Sequence, residues 1–311
     1  MKLATTTGDF TSFQRRLDTY SGVGESLVLL KECGFKYIDL NFCGTTDKDG
    51  PIATDGWREW AMDLKKTAER LGLVFVQAHS TDTIAEKGEK RDLLTEYIRR
   101  EIEVCHILGI PGMVVHGLFI KDYSRDDFIK LNVEFYSDLL ETARKFDVCI
   151  YTENTCKKNC PNYYIFDAGD FHLLDAALGK PDHFGMCLDV GHAHIEGVDI
   201  YDMIQELGDR LLAVHIHDNT GADYHMQPFS GKLNFDAVVK GLVDAKFKGY
   251  FTLEALSIPT PASLLGRRKL EKNGIVYNKL NDLPMEFKLR SERLMHDIAV
   301  YMLKAYDCYE E

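Results

Sequence analysis

The sequence lacks any long apolar run, and this absence limits where the protein can reside. No segment approaches the ~20 consecutive apolar residues that a membrane-spanning helix requires. The opening residues, MKLATTTGDF, also lack the basic segment and apolar core that mark a secretory signal. We therefore expect a cytoplasmic protein with no membrane partner.

Positive charge is the second deficit. The 311 residues include 37 Lys and Arg against 49 Asp and Glu, which gives a formal net charge of −12. Nucleic-acid binding depends strongly on neutralising phosphates with Lys and Arg, although a local basic patch is enough to provide this. The charge balance therefore disfavours nucleic acid as a partner.

Cysteine is present, but its spacing completes no metal motif. Of the eight cysteines, several lie in apolar strand or helix patterns, such as Cys149 and Cys187, and we interpret these as small buried residues. The pair in CKKNC, Cys156 and Cys160, has no second pair with which to form a structural zinc site. Zinc binding at this pair is the weaker of the two interpretations.

Eight short, β-prone segments alternate with helical patterns along the chain. The segment at 57–72 repeats apolar residues at three- and four-residue intervals and ends in Gly72, which suits a helix C-cap. Another helical segment begins at Ser124, a favourable N-cap residue. The alternation predicts parallel strands joined by helical crossovers. The predicted strands are 3–7, 37–42, 74–80, 113–119, 148–154, 185–192, 212–219 and 250–256.

Polar residues recur near the ends of the middle strands at a nearly constant interval. His79, His116, Glu153 and Asp189 follow one another by 37, 37 and 36 residues. Each interval fits one strand and one helix, and eight such units predict a single α/β domain over 1–311, a (β/α)8 TIM barrel. A doubly wound open sheet is the alternative, but it would collect its site mainly from two strand ends, whereas six strands carry such residues here.

The stretch at 257–286 departs from this rhythm. It contains three of the eight prolines and the basic cluster Arg267, Arg268 and Lys269. We expect a long loop over the catalytic face, followed by a C-terminal helix. The loop could serve as a lid, a phosphate contact or an oligomer contact, or it could be a packed surface excursion.

Ten histidine and acidic side chains gather at the predicted strand ends and in the loop after the seventh strand. Six of the eleven histidines belong to this set. Imidazole and carboxylate groups are ligands that Zn²⁺ and Mn²⁺ accept, and carboxylates in an apolar barrel mouth are costly without a cation. The set therefore predicts a metal centre. Its members are His79, His116, Glu153, Asp189, His192, His215, His217, Asp223, His225 and Glu254.

The motifs around these residues resemble those of the xylose-isomerase-like TIM-barrel superfamily, which contains sugar and sugar-phosphate isomerases and epimerases and endonuclease IV. The resemblance spans Leu3 to about Glu254 and the final helix. It implies a carbohydrate substrate, a homodimer or homotetramer, and one divalent cation, Mn²⁺ first, with Mg²⁺, Co²⁺ or Zn²⁺ as alternatives. The matching motifs are EN (153–154), LDVGH (188–192), HIHDN (215–219), DYH (223–225) and LEA (253–255).

The resemblance also implies roles for single residues. Glu153, Asp189, His215 and Glu254 would hold the cation. The implied chemistry is proton abstraction beside a carbonyl through a metal-stabilised enediolate, with Glu153 and Glu254 as an acid–base pair on opposite sides. His192 would bind substrate, His217 or His225 could carry a proton, and the region of Lys232 could hold hydroxyls or a phosphate. The particular sugar, the carbon atom and the phosphorylation state stay open.

A zinc-dependent phosphodiesterase like endonuclease IV is the main alternative. All members of the set except His217 match the nine residues with which that branch binds three Zn²⁺. Two features depart from its pattern: PFSGKLNF follows DYH in place of a glycine-rich run with an acidic residue, and His217 replaces a more usual amide. An inosose-dehydratase-like lyase and a non-catalytic sugar-binding barrel are further alternatives. The number of bound ions distinguishes the first two, one for the sugar enzyme and three for the nuclease.

Overall fold

Eight parallel strands close into a barrel in chain order, which confirms the predicted fold. This computed structural model describes residues 1–15, 22–47, 49–83, 85–256, 270–277 and 284–311. The first strand pairs with both the second and the eighth, and these two pairings close the ring. The strands are β1 (Leu3–Thr6), β2 (Tyr37–Asn41), β3 (Val74–His79), β4 (Gly112–Val114), β5 (Cys149–Glu153), β6 (Phe184–Asp189), β7 (Leu211–Ile216) and β8 (Phe251–Leu253).

Helices surround the barrel, and the last helix contacts both α2 and α9, so that it completes the outer ring. Two short 3₁₀ helices, Pro51–Ala53 and Gly208–Arg210, accompany them. The helices are α1 (Gly8–Arg15), α2 (Val23–Glu32), α3 (Trp57–Leu71), α4 (Glu89–Leu108), α5 (Arg125–Phe146), α6 (Ala168–Ala177), α7 (Val190–Glu196), α8 (Ile200–Leu207), α9 (Phe235–Asp244) and α10 (Met285–Ala305).

The helix boundaries follow the local chemistry of the sequence. Helix α3 ends as predicted at Gly72, which takes a left-handed conformation with φ of +67° and leaves room for the C-cap bonds. Helix α5 begins after Ser124, whose hydroxyl accepts from the backbone of Asp127 while the Asp127 carboxylate accepts in return. Both predicted helices are therefore confirmed.

The alternation of side chains along each strand positions the polar residues in the barrel mouth. Inside the barrel, Val114, Tyr151, Cys187 and Ala213 form a buried apolar cluster. His116, Glu153, Asp189 and His215 each lie two residues further along the same segments. Because successive strand residues point to opposite faces, residues two apart share the interior face. A layer of ionisable groups therefore rests on an apolar plug.

All eight strands are shorter in the structure than in the sequence-based assignment, and β7 and β8 end one residue before His217 and Glu254. The strand predicted at 185–192 ends at Asp189, because the Asp189 carboxylate accepts from the backbone N–H of His192 and so caps α7. The strand predicted at 113–119 ends at Val114, so His116 belongs to the following loop. None of the helices in the described part of the chain combines the length and apolar character that crossing a bilayer demands.

The predicted long loop at 257–286 lies mostly outside the described residues. Its described part contains a hairpin of two antiparallel strands, β9 (Leu270–Lys272) and β10 (Ile275–Tyr277). Asn273 and Gly274 form the turn and both have positive φ. The placement of the whole segment over the catalytic face stays a prediction.

Candidate metal centre

His215 lies at the centre of the barrel mouth, near the end of β7. Its Nδ1 atom is 2.6 Å from Oε1 of Glu153 and 3.2 Å from Oε2 of Glu254. The carboxylates of β5 and of the residue after β8 thus converge on one nitrogen, although three strand positions separate them. This convergence places two carboxylates around one small space, in which a divalent cation would balance their negative charge.

Glu153 joins this group to a second one through its other oxygen. Its Oε2 atom lies 3.2 Å from Nε2 of His116 and 3.5 Å from Nε2 of His79. Burial alone would raise the pKa of Glu153, but the neighbouring charge of His215 and hydrogen bonds from all three histidines hold it well below its usual range. Glu153 is therefore a carboxylate that can bridge two ligand groups.

Asp189 connects β6 to α7 and faces a different partner. Both of its carboxylate oxygens lie 2.9 Å from Nε2 of His217, and Oδ1 also accepts from the backbone N–H of His192 at 2.7 Å. Burial opposes ionisation, but the positive charges of His192 and His217 lower the pKa of Asp189 to about 2. His217, which the sequence placed beside His215 in the interior, is fully buried there.

A third group forms on the loop after β7. Asp223 lies 3.2 Å from Nε2 of His192 through Oδ2 and 3.1 Å from Nε2 of His225 through Oδ1. Asn159 donates to the same carboxylate at 2.8 Å, and sequence reasoning did not anticipate this contact. Asp223, His225 and His192 thus lie together, with His192 supplied by the first turn of α7 rather than by a strand.

Three of the histidines are held in one orientation by backbone carbonyls. Nδ1 of His79 lies 2.9 Å from the carbonyl oxygen of Ser80. Nδ1 of His192 lies 3.0 Å from the carbonyl oxygen of Asn154, and Nδ1 of His225 lies 2.8 Å from that of Glu254. A carbonyl oxygen only accepts, so Nδ1 carries the proton in each ring. Each Nε2 then points toward carboxylates, and it becomes free to bind a metal when it gives up its own proton, since metal-ligating histidines are commonly held through the other ring nitrogen.

The charge state of these rings follows from the surrounding carboxylates. Burial disfavours the charged form of His79, but the hydrogen bond to Glu153 and the nearby acidic charges raise its pKa to about 9. Burial also disfavours the charged form of His192, but Asp189 and Asp223 outweigh it and raise the pKa of His192 to about 9. At His225 the hydrogen bond to Asp223 outweighs burial in the same way, and the pKa of His225 rises to about 10. Protons therefore occupy these positions without a metal.

The ligand chemistry of these overlapping groups fits divalent cations. Within each group the imidazole, carboxylate or thiol atoms lie within 4.8 Å of one another. Sets of nitrogen and oxygen donors at this spacing are typical of Zn²⁺ and Mn²⁺ sites. The groups include His79, His116 and Glu153; His79, His215 and Glu254; Glu153, Cys187 and His215; Asp189, His217 and His225; and His192, Asp223 and His225.

Sequence reasoning missed two buried polar residues behind the centre. The Nε2 atom of Gln77 lies 2.8 Å from Nε2 of His215, and Asp39 is fully buried nearby. Burial raises the pKa of the Asp39 carboxyl to about 6. Two features of the sequence could have pointed to these residues: a charged residue inside the apolar strand YIDLNF, and a glutamine two positions before His79.

A cavity of about 530 Å³ opens above the ligand groups. This volume is suitable for a small organic molecule. Lys232, for which sequence reasoning suggested a substrate contact, is not among the residues that line the described cavity. The lining consists of His79, Asp82, Thr83, His116, Gly117, Phe119, Glu153, Thr155, Asn159, Cys160, Tyr163, His192, Asp223, His225 and Glu254.

A closed eight-stranded barrel with acidic and histidine ligands at its mouth defines the class of protein. The chain belongs to the xylose isomerase-like TIM barrel family, whose model matches residues 27–271. This match confirms the resemblance inferred from the motifs.

Particular relatives include both enzyme types that the motifs suggested. The chain is 28% identical to the probable endonuclease 4 of Geobacter sp. strain M21 over 198 residues, 57% of this chain and 69% of that protein. It is 28% identical to fructoselysine 3-epimerase of Escherichia coli O157:H7 over 110 residues, 35% of this chain and 40% of that protein. The crystal structure of D-psicose 3-epimerase with D-tagatose from Clostridium cellulolyticum H10 matches with a TM-score of 0.72 and 14% identity, over 97% of this chain and 99% of that one, which shows a shared fold.

Proposed function

We propose that the chain is a divalent-metal-dependent isomerase or epimerase of a sugar or sugar phosphate. The observation that carries the proposal is the convergence of Glu153 and Glu254 on Nδ1 of His215, at 2.6 and 3.2 Å, beneath a cavity of sugar-accommodating size. The cation, Mn²⁺ in our proposal, would be held by Glu153, Asp189, His215 and Glu254. When bound, it withdraws electron density from the carbonyl and hydroxyl oxygens of the substrate.

The two glutamates also supply the proton-transfer groups. Both line the cavity, and the side chain of Glu254 is 15% exposed against 1% for Glu153. We assign one carboxylate to remove the proton from the carbon beside the carbonyl and the other to return a proton. Phe119 lines the cavity, is 44% exposed and offers an apolar face for the C–H surface of a sugar ring.

Solvent-deuterium incorporation tests this proposal directly. The protein is loaded separately with Mn²⁺, Mg²⁺, Co²⁺ or Zn²⁺ and incubated in D₂O with a panel of ketoses, aldoses and their phosphates. We expect deuterium at the carbon beside the carbonyl of at least one sugar, detected by NMR even if no net product accumulates. Failure of every metal form to label any sugar would exclude the proposed proton abstraction.

A zinc-dependent phosphodiesterase is the second candidate, and a specific observation favours it. Glu153 is shared between two ligand groups, and His192, Asp223 and His225 form a third, so positions exist for more than one ion. The relative from Geobacter belongs to this enzyme type by name. Metal analysis after zinc loading and a cleavage assay on duplex DNA with one abasic site test it. Three zinc ions per chain with strand cleavage would favour this candidate over the sugar enzyme.

A further inference from the structure

Helix α10 exposes a regular apolar stripe on the side opposite to its buried face. The buried face includes Met295 and Ala299, which are fully covered. On the other side, the exposed fractions are 42% for Phe287, 54% for Leu294 and 67% for Tyr301. These three residues follow one another at intervals of seven. A solvent-facing helix surface is ordinarily polar, so three large apolar residues in register form an exposed apolar seam.

Charged residues complete the seam with the period of a coiled coil. Arg290, Asp297 and Lys304 are exposed and alternate with the apolar positions at three- and four-residue steps. Spacing of this kind keeps all six side chains on one side of the helix, with apolar residues at one of the two positions that face the partner in a coiled coil and charged residues at the other. The order of charges along the line is positive, negative, positive.

We propose that α10 packs antiparallel against α10 of a second copy of this chain, across a two-fold axis at Leu294. Phe287 and Tyr301 lie seven positions before and after Leu294. The axis therefore brings Leu294 against its own copy and Phe287 against Tyr301 of the second copy at both ends. Such self-complementarity is what a two-fold interface requires. The inference does not depend on the proposed activity.

The charge pattern selects the antiparallel arrangement over the parallel one. Arg290 lies four positions before Leu294 and Asp297 lies three positions after it. Antiparallel packing at Leu294 places each Arg290 beside Asp297 of the second copy, which gives two ion pairs of opposite charge. Parallel packing would align Arg290 with Arg290 and Asp297 with Asp297, and like charges in such positions suppress pairing.

A groove beside the seam extends the contact beyond a single helix. It is lined by Phe229, Asp297, Ile298 and Tyr301 and has a volume of about 430 Å³. Phe229 has a φ of +67°, unusual for a large side chain, and remains 61% exposed. Because Phe287 of the second copy meets Tyr301, its ring reaches this groove. The added surface matters because stable interfaces bury about 800 Å² per partner, more than one helix stripe provides.

Sedimentation of the full chain over a range of concentrations tests the interface. We expect a concentration-dependent dimer of the 35.4 kDa chain. Leu294→Glu should weaken dimerisation by about thirtyfold or more, as expected of a central interface residue. Leu173→Glu is the matched control, because Leu173 is 47% exposed on α6, away from the seam, and should leave the dimer intact. Circular dichroism checks that both variants are folded, and Leu294→Ser provides a milder change if Leu294→Glu is not.

Charge reversal provides the decisive comparison. Arg290→Asp and Asp297→Arg should each weaken the dimer, because each places like charges side by side, whereas the double reversal should restore it. A monomeric wild-type protein at high micromolar concentration would overturn the proposal. So would a dimer that tolerates a folded Leu294 variant, or a double reversal that dimerises no better than the single variants.

Discussion

The Oδ2 atom of Asp39 lies 3.9 Å from Nε2 of His215, and both side chains are fully buried. In the described part of the chain, the two carboxylate oxygens of Asp39 have no hydrogen-bond partner. Gln77 contacts the same ring nitrogen at 2.8 Å. An amide can offer either its N–H or its oxygen, so Gln77 can serve both neutral forms of His215 while Nδ1 stays directed at the glutamates.

Replacement of Gln77 by leucine should therefore weaken metal binding. Loss of a group that orients a histidine ligand typically costs about 10- to 100-fold in metal affinity. Competition with a chelator of known affinity measures the change. Gln205→Leu is the control, because Gln205 contacts the Gly241 carbonyl on the outer helices and should leave the affinity unchanged. Equal affinities for the wild type and Gln77→Leu would show that His215 needs no such support.

Glu153→Gln and Glu254→Gln should each reduce turnover by more than about a hundredfold, the scale of a lost general base. Glu153→Gln should also reduce metal affinity more strongly than Glu254→Gln, because Glu153 contacts three histidines with its two oxygens. Kinetics at saturating metal separate the two effects. Glu134→Gln, at an exposed pair with Lys87, should be neutral. Near-normal turnover of either site variant would refute the assigned acid–base pair.

Metal affinity should continue to rise with pH well above neutrality. The pKa values of His79 and His225 are raised from 6.5 to about 9 and about 10, so an incoming cation must displace their protons. A raised pKa in the folded state stabilises the metal-free protein below pH 6.5, and this contribution is lost as pH rises through 9 to 10. Thermal unfolding of metal-free protein should show that loss.

Calorimetry in buffers with different ionisation enthalpies measures the protons released on metal binding. From the sequence alone, metal affinity is expected to fall as pH drops below about 6, since histidine ligands must be neutral. The raised histidine pKa values move upward the pH range over which metal affinity is expected to change. Affinity that is constant above pH 7 would contradict the raised pKa values.

The variant His225→Ala should distinguish a centre that holds one ion from a centre that holds three. It removes a nitrogen from the group with His192 and Asp223 and from the group with Asp189 and His217. It also removes the contacts of His225 with Glu254, whereas the contacts of His215 with Glu153 and Glu254 stay in place. If the protein holds one ion among Glu153, Asp189, His215 and Glu254, the variant should retain one ion per chain by elemental analysis. A drop from three ions to two would instead support the phosphodiesterase.

Ser124→Ala should destabilise the fold by about 1 kcal/mol, the usual cost of a lost N-cap. Ser124 and Asp127 satisfy each other's backbone groups at the start of α5, which a methyl group cannot do. Chemical denaturation measures the change. Ser137→Ala, at an exposed position inside the same helix, should be neutral or slightly stabilising. Equal stability of the two variants would mean that the cap contributes nothing.

Strand periodicity made most of the histidine and acidic cluster predictable. Glu153, Asp189 and His215 stand at the ends of apolar, β-prone segments, and a closed barrel brings such ends together. The orientation of His192 was not predictable, because it depends on an aspartate cap that ends β6 early. Asp39 escaped notice since a lone acid within a strand carries no spacing pattern. Its proximity to His215 arises only when β2 and β7 meet inside the barrel.

The apolar plug beneath the ligands has a consequence for how this chain can change. Glu153, Asp189 and His215 each lie two residues beyond a plug residue on the same strand, so the face to which each points is fixed by its number along that strand. A substitution at the mouth of the barrel leaves the apolar plug and the surrounding helices unchanged. Insertion of a single residue within β5 would turn the side chain of Glu153 toward the helices, although every histidine and acidic residue of the cluster would still be present in the sequence. The reaction can therefore diverge by substitution, whereas the length of each strand must be kept.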